Sequence, residues 1–117
     1  MDAGCGAGLA LQLAHKRGAT VTGLDAAAAL LGVAPERVPT ADLREGELEA
    51  LPYPDDSFDT VTAFNAVQYA ADPVAALREL RAAAAPTGQR ERAVRAERAG
   101  EAGGAGRCCW ADPAARR

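Results

Sequence analysis

The spacing of apolar residues predicts alternating helices and strands over the first 88 residues. Helical periodicity is found in three segments, residues 9–18, 26–34 and 72–85. Short apolar and β-branched runs typical of strands are found in three others, residues 19–25, 40–46 and 58–65. This alternation is typical of an α/β domain with a parallel sheet.

The helical spacing also predicts which faces of two helices are buried. In the first helix the apolar stripe comprises Leu9, Leu13 and Ala14. In the last helix it comprises Val74, Leu77, Leu80 and Ala84. Asp72 is expected to cap this helix and Pro73 suits its first position, whereas Pro35 is expected to end the helix over 26–34.

Composition limits the chain to one modest domain with a small core. Alanine supplies 30 of the 117 residues, Leu, Val and Phe together supply only 20, and Ile is absent. Three cysteines and one histidine favour neither a disulfide framework nor a metal site. No apolar run approaches the roughly 20 residues that span a bilayer. We therefore expect a cytoplasmic protein that does not associate with membranes.

Charge divides the chain into two parts. Residues 1–88 carry 6 Lys and Arg against 12 Asp and Glu, whereas residues 89–117 carry 7 Arg against 4 acids. In the second part Val94 is the only Leu, Ile, Val or Phe, so residues 89–117 are predicted to be an unstructured tail rich in Arg, Ala and Gly. The interleaved acids argue against nucleic-acid binding by this tail.

Four features with chemical potential lie where strands are predicted to end, the edge at which open parallel sheets bind ligands. They are DAGCGAG at residues 2–8, Asp25, GELEALPY at residues 46–53 and DDSFDTVTAFN at residues 55–65. The alternating glycines of the first allow a sharp turn and close approach of the backbone to a ligand.

Each acidic or amide side chain in these features has a functional and a structural interpretation. Asp25 can accept two hydrogen bonds from a ribose diol, or it can cap the helix that follows. Glu47 can accept from an exocyclic amine, or it can be a solvated surface acid. Asn65 can orient a polar ligand group, or it can end its strand in a turn.

Residues 2–88 resemble class I S-adenosylmethionine-dependent methyltransferases of the small-molecule kind related to ubiquinone and menaquinone biosynthesis enzymes. The resemblance rests on DAGCGAG, VTGLD, GELEALPYPDDSFDTVTAFN and DPVAALREL, in that order. It implies a Rossmann-like doubly wound sheet, S-adenosyl-L-methionine as cofactor and a small-molecule methyl acceptor. The cofactor-binding residues that it implies are Asp2, Gly4, Gly6, Gly8, Asp25, Glu47, Leu48 and Asn65.

The resemblance also assigns roles to these residues. The glycines would approach the methionine part of the cofactor and Asp25 would hold the ribose hydroxyls. Glu47 would accept from the adenine amine, with Leu48 packed against the ring. Asn65 and the following AVQYA would line the path between cofactor and acceptor. No catalytic residue and no metal ligand is identified.

The family pattern extends beyond both ends of residues 1–88, which we interpret as a partial methyltransferase domain. In a doubly wound sheet the strand before the glycine turn is central, yet only Met1 precedes Asp2. We expect a sheet that lacks this first strand and the C-terminal strands, leaving VTGL and FDTVTAF without a partner between them. The start is interpreted as internal to the gene and the tail as read out of frame from near Gln89.

Two alternative functions stay open. One is an inactive fragment of a methyltransferase. The other is a nicotinamide-dependent oxidoreductase, whose G-x-G-x-x-G fingerprint differs from the G-x-G-x-G spacing found here.

Overall fold

Three short parallel strands form the sheet that organises the fold. The structure, a computed structural model, describes residues 1–86, so the predictions for residues 89–117 lie outside the described residues. The strands are β1 (Asp2–Ala3), β2 (Thr22–Asp25) and β3 (Asp42–Glu45), in the order β1-β2-β3. All pairings are parallel, and β2 lies between the other two. The predicted α/β class with a parallel sheet is confirmed.

Helices follow the strands and supply both layers around the sheet. They are α1 (Leu9–His15), α2 (Ala28–Leu31), α3 (Ala34–Arg37) and α4 (Pro73–Ala83), with a 3₁₀ turn at Val67–Tyr69. The single helix predicted over residues 26–34 is wrong, because the segment divides into α2 and α3. Pro35 does not end a helix but lies in the first turn of α3, where its missing N–H breaks no helical hydrogen bond.

The central strand expected to be missing is present as two residues. The Ala3 N–H donates to the Thr62 carbonyl at 2.8 Å, and the Thr62 N–H donates to the Met1 carbonyl at 2.9 Å. On the other side Ala3 is paired with Leu24 of β2. The expectation that VTGL and FDTVTAF have no partner between them is therefore wrong.

The strand predicted over residues 58–65 is not continuous in the described part of the chain. The segment forms isolated parallel bridges, Thr62 with Asp2 and Phe58 with Ala84. Its pairing is this limited because β1, which it faces, offers only two strand residues. The segment still lies beside β1, where the sequence pattern places it.

The buried faces of α1 and α4 differ from the predicted stripes. In α1, Leu11 is 2% exposed, whereas Leu9 is 57% and Leu13 47% exposed. Leu11 fits against β2 because Gly23 has no side chain; a Cβ there would lie 2.7 Å from the Leu11 Cδ1. The docking of α1 is set by this gap in the sheet, which helical spacing alone does not reveal.

The buried stripe predicted for α4 is also partly wrong, because Val74 and Leu77 are exposed. The residues that this helix buries are Ala76, Leu80 and Ala83. Two alanines in that set let the helix approach the sheet closely. The predicted cap is confirmed, because the Asp72 carboxylate accepts from the N–H groups of Val74 and Ala75 at 3.0 Å.

Apolar clusters cover both faces of the sheet. One consists of Ala3, Leu24, Leu51, Leu80 and Ala83, and the other of Cys5, Leu11, Val21 and Val38. The first joins the sheet to α4 and the second joins it to α1. Over residues 1–86, every helix is too short or too polar to cross a bilayer.

Candidate cofactor site

A cleft of about 350 Å³ opens at the carboxyl ends of the strands. The glycine turn after β1 forms its floor. Its sides come from the segment after β2, from residues 46–49 after β3, which we call the acidic wall, and from residues 65–70, which we call the opposite wall. This is the position at which open parallel sheets bind ligands.

The floor is bare backbone. Gly4 has a φ of +74° and Gly6 a φ of +50°, a region that side chains disfavour. A Cβ on Gly4 would overlap the Ala66 Cβ of the opposite wall, and one on Gly6 would lie 3.7 Å from the Leu30 side chain. Glycine at position 4 is therefore required by the close approach of Ala66, and both glycines present backbone without a side chain to the cleft.

Asp25, the last residue of β2, ties the floor to the side of the cleft. Its Oδ2 accepts the Gly6 N–H at 2.7 Å, and its Oδ1 accepts the Ala27 N–H at 2.8 Å. The interpretation of Asp25 as a helix cap is wrong, because the N-cap of α2 is Ala27 and no side chain caps that helix. The Asp25 carboxylate lines the cleft and has lone pairs beyond those used by the two N–H groups.

The acidic wall carries Glu47, which is exposed, and Leu48, which is half-buried. The wall begins at Gly46, whose N–H donates to the Asp25 carbonyl at 3.1 Å. A Cβ on Gly46 would lie 3.1 Å from the Leu24 side chain, so the chain passes close to the core here. The wall thus offers an exposed carboxylate beside an apolar surface.

Glu49 also lines the cleft, but its carboxylate is used within the protein. Its Oε1 accepts the backbone N–H of Asp72 at 3.0 Å. That hydrogen bond is the main reason why the pKa of the Glu49 carboxyl lies below its usual range. Glu49 is therefore ionised at neutral pH.

The opposite wall begins at Asn65, which has a left-handed φ of +52°, uncommon for a residue other than glycine. The Asn65 Oδ1 accepts from the Gln68 side-chain amide, which holds the turn together. Ala66 is buried against the floor, whereas Tyr69 is 77% exposed at the rim. Asn65 and Tyr69 thus both line the cleft on this side.

Of the predicted cofactor-binding residues, the structure brings six to the cleft lining: Gly4, Gly6, Asp25, Glu47, Leu48 and Asn65. Two lie elsewhere. Gly8 precedes α1 and would place a Cβ 3.2 Å from the Ala34 Cβ, so it serves helix packing. Asp2 is 5% exposed and accepts from the Thr62 hydroxyl at 2.6 Å inside the sheet.

Sequence reasoning missed part of the lining, namely Ala26, Ala27, Leu30, Gly46 and Glu49. Gly46 and Glu49 belong to GELEALPY, which the sequence pattern places at this edge of the sheet, although neither was singled out as a cofactor-binding residue. The small residues after Asp25 carry no such signal. They line the cleft because the chain turns there into α2.

Comparison with known proteins assigns the family. Residues 1–90 match the sequence profile described as "Methyltransferase domain". The chain belongs to this family. The matching relatives and solved structures are class I S-adenosylmethionine-dependent methyltransferases, so the resemblance found in the sequence is confirmed. S-adenosylmethionine is confirmed as the cofactor of the family. The nicotinamide-dependent alternative is thereby removed.

Three relatives illustrate the similarity. The chain is 42% identical over 90 residues to a malonyl-[acyl-carrier protein] O-methyltransferase of Erwinia billingiae, covering 76% of this chain and 36% of that protein. It is 38% identical over 79 residues to a ubiquinone biosynthesis O-methyltransferase of Paracidovorax citrulli, covering 62% and 33%. SAM-bound CalS10, an amino pentose methyltransferase from Micromonospora echinaspora, superposes with a TM-score of 0.64 at 34% identity, covering 73% and 37%.

These matches cover only part of each relative. The chain spans about a third of the length of the curated relatives it matches. The matched part contains the glycine turn, both walls of the cleft and α4.

Proposed function

We propose that this chain binds S-adenosylmethionine in the cleft and forms the cofactor-binding part of an enzyme that methylates a small-molecule acceptor. The observation that carries the proposal is the meeting of Gly4, Gly6, Asp25 and Glu47 around one cleft of about 350 Å³. That volume lies within the range of about 300–1,000 Å³ usual for small-molecule sites. When bound, the cofactor supplies a methyl group on a sulfonium that is already activated for displacement.

The residues present fit this cofactor. Gly4 and Gly6 line the cleft and carry no side chain, so a ligand can approach their backbone. Asp25 can accept from the ribose diol with the lone pairs that its two N–H partners leave unused. Glu47 can accept from the adenine amine while Leu48 contacts the ring.

Methyl transfer from a sulfonium depends mainly on the alignment of donor and acceptor, and small errors in their position lower the reaction rate strongly. In the proposed complex Asn65 and the opposite wall border the acceptor path. Tyr69 and Leu30, exposed at the rim, offer apolar surface to an acceptor with a planar or aliphatic body. The small-molecule class is supported by relatives named for ubiquinone biosynthesis and for an amino pentose.

Titration calorimetry of the purified chain with S-adenosylmethionine tests the cofactor proposal. We expect binding in the micromolar range, typical of enzyme ligands. Glu47→Ala is expected to weaken binding of S-adenosylhomocysteine and to abolish its advantage over S-inosylhomocysteine, in which the amine is replaced by a carbonyl. Glu36→Ala, an exposed acid on α3, is the matched control and leaves both affinities unchanged.

If neither S-adenosylmethionine nor S-adenosylhomocysteine binds, the proposal is overturned and the inactive-fragment alternative is favoured. Binding without transfer would limit the chain to cofactor binding. Transfer is tested by release of S-adenosylhomocysteine in the presence of phenolic, carboxylic and amino-sugar acceptors.

A further inference from the structure

Two glutamates join the acidic wall of the cleft to helix α4. The Glu49 Oε1 accepts the Asp72 N–H at 3.0 Å, from 23 residues away. The Glu79 Oε2 accepts the Leu51 N–H at 3.0 Å, from 28 residues away. One carboxylate reaches from the wall to the start of the helix, and the other reaches from the helix back to the chain just beyond the wall.

The contact at Asp72 gives a hydrogen-bond acceptor to the backbone N–H of the residue that caps α4. An N-cap residue exposes its own backbone N–H, which in a capping box is bound by a Glu or Gln three positions later. That position of α4 is Ala75, whose side chain accepts no hydrogen bond. Glu49 supplies the missing carboxylate from another segment. Because the opposite wall runs directly into Asp72, the contact links the two walls of the cleft.

The contact at Leu51 fixes the chain two residues beyond the acidic wall. Leu51 is 9% exposed, and a buried backbone N–H without a partner is costly. Glu79 is half-buried beside Leu80, which packs in the same core cluster as Leu51. Together with the bond from Gly46 to the Asp25 carbonyl, this anchors the chain at the start of the wall and just beyond its end.

We propose that Glu49 and Glu79 are positioning residues that hold the acidic wall against α4 and so place Glu47 and Leu48 for the adenine ring. The proposal rests on the proposed function, because it concerns the same cofactor. Neither glutamate is required to touch the cofactor. The ionised state of Glu49 makes its contact charge-assisted, which strengthens such hydrogen bonds.

The test compares the affinities of S-adenosylhomocysteine and S-inosylhomocysteine in Glu49→Ala and Glu79→Ala. If the wall shifts, Glu47 no longer meets the amine and Leu48 packs less well on either ring, so we expect adenosyl binding to weaken about tenfold and inosyl binding to weaken less. A purely structural role would weaken both ligands equally. Glu49→Gln and Glu79→Gln keep an acceptor oxygen and are expected to retain most of the adenosyl preference. Glu36→Ala is again the control.

Should the alanine variants fail to fold, Glu49→Asp and Glu79→Asp carry the test, since they keep the charge but draw the carboxylate back by one methylene. A reduced adenosyl preference in these variants supports the proposal, and an unchanged preference overturns it. Failure of the unmodified chain to bind S-adenosylhomocysteine refutes the proposed function instead. A bound ligand without adenosyl preference in the unmodified chain refutes the assignment of Glu47.

Discussion

The Gly6 N–H donates to the Asp25 Oδ2 at 2.7 Å, which fixes the glycine turn to the end of β2. The other oxygen of the same carboxylate holds the Ala27 N–H at 2.8 Å. One side chain therefore sets the relative positions of the turn, the strand and the entry to α2. Gly6, Asp25 and Ala27 all line the cleft, so the two hydrogen bonds hold part of its lining together.

We expect Asp25→Ala to destabilise the chain and to weaken cofactor binding together. Two backbone N–H groups lose their acceptor, and hydrogen bonds to charged groups contribute roughly 1.5–3 kcal/mol when well shielded. The sites are partly exposed, so we expect about 1–2 kcal/mol from urea unfolding. Asp25→Asn keeps one acceptor oxygen, so its stability should lie between those of the unmodified chain and Asp25→Ala. Asp55→Ala, at an exposed acid, is the control, and equal loss in both alanine variants would contradict the prediction.

Gly4→Ala is expected to be more destabilising than Gly18→Ala. Both glycines have a positive φ, +74° and +87°, so both substitutions strain the backbone by about 1 kcal/mol. Only at Gly4 does the new Cβ also meet Ala66, whereas nothing lies within 4 Å at Gly18. Ala66→Gly should therefore restore part of the stability of Gly4→Ala, measured as thermal midpoints of the single and double variants. Additive losses in the double variant would disprove the overlap.

The site could be predicted from the sequence further than the packing could. Asp25, Glu47 and Asn65 each lie at or just after the end of a predicted strand, and parallel strands bring their carboxyl ends to one edge, so order along the chain was enough to place them together. Asp2 and Gly8 belong to the same motif, but their neighbours Thr62 and Ala34 are distant in sequence. Only the folded chain shows which motif residues line the cleft and which face the core.

Helix faces and strand lengths were predicted less well, for two physical reasons. The orientation of α1 depends on the gap at Gly23 into which Leu11 fits, a tertiary feature that outweighs the stripe of Leu9 and Leu13. The ladder over residues 58–65 depends on the length of β1, not on its own strong strand propensity. In both cases the strand that the segment packs against or pairs with, and not the segment's own sequence, decides its structure.

Asp2→Asn is expected to stabilise the chain at neutral pH but not in acid. Burial raises the pKa of the Asp2 carboxyl above its usual range, against the smaller opposing effect of the Thr62 hydroxyl. A folded-state pKa above the unfolded one favours folding below the unfolded value, near 4, and this contribution is lost as pH rises through the folded value. Asparagine keeps an acceptor for Thr62 without a charge.

The measurement is the unfolding midpoint of both proteins from about pH 3, below the ordinary aspartate pKa of about 3.9, to about pH 7, well above it. The gain from Asp2→Asn should grow with pH. Asp55→Asn, at an exposed carboxyl, serves as the reference. A gain that is constant across the range would show that the charge of Asp2 is not the cause.

Tyr53→Phe is expected to raise stability, because the Tyr53 hydroxyl is buried and has no hydrogen-bond partner among residues 1–86. Burial also raises the pKa of this hydroxyl to about 12. The ring itself is well placed, since it meets Phe58 edge-on at 4.9 Å between centroids and has the Arg44 guanidinium 5.0 Å from its centre.

Phenylalanine keeps both contacts of the Tyr53 ring and removes only the unpaired polar atom, whose burial costs about 1–3 kcal/mol. A gain of about 1 kcal/mol corresponds to roughly 4–8 °C in the thermal midpoint of a domain this size. Tyr69→Phe, at a ring that is 77% exposed, should leave the midpoint unchanged. Tyr53→Leu should lower it, because the edge-on contact with Phe58 is lost. A lower midpoint in Tyr53→Phe would mean that the hydroxyl is hydrogen-bonded in solution, and the unpaired atom would then not be a source of instability in this core.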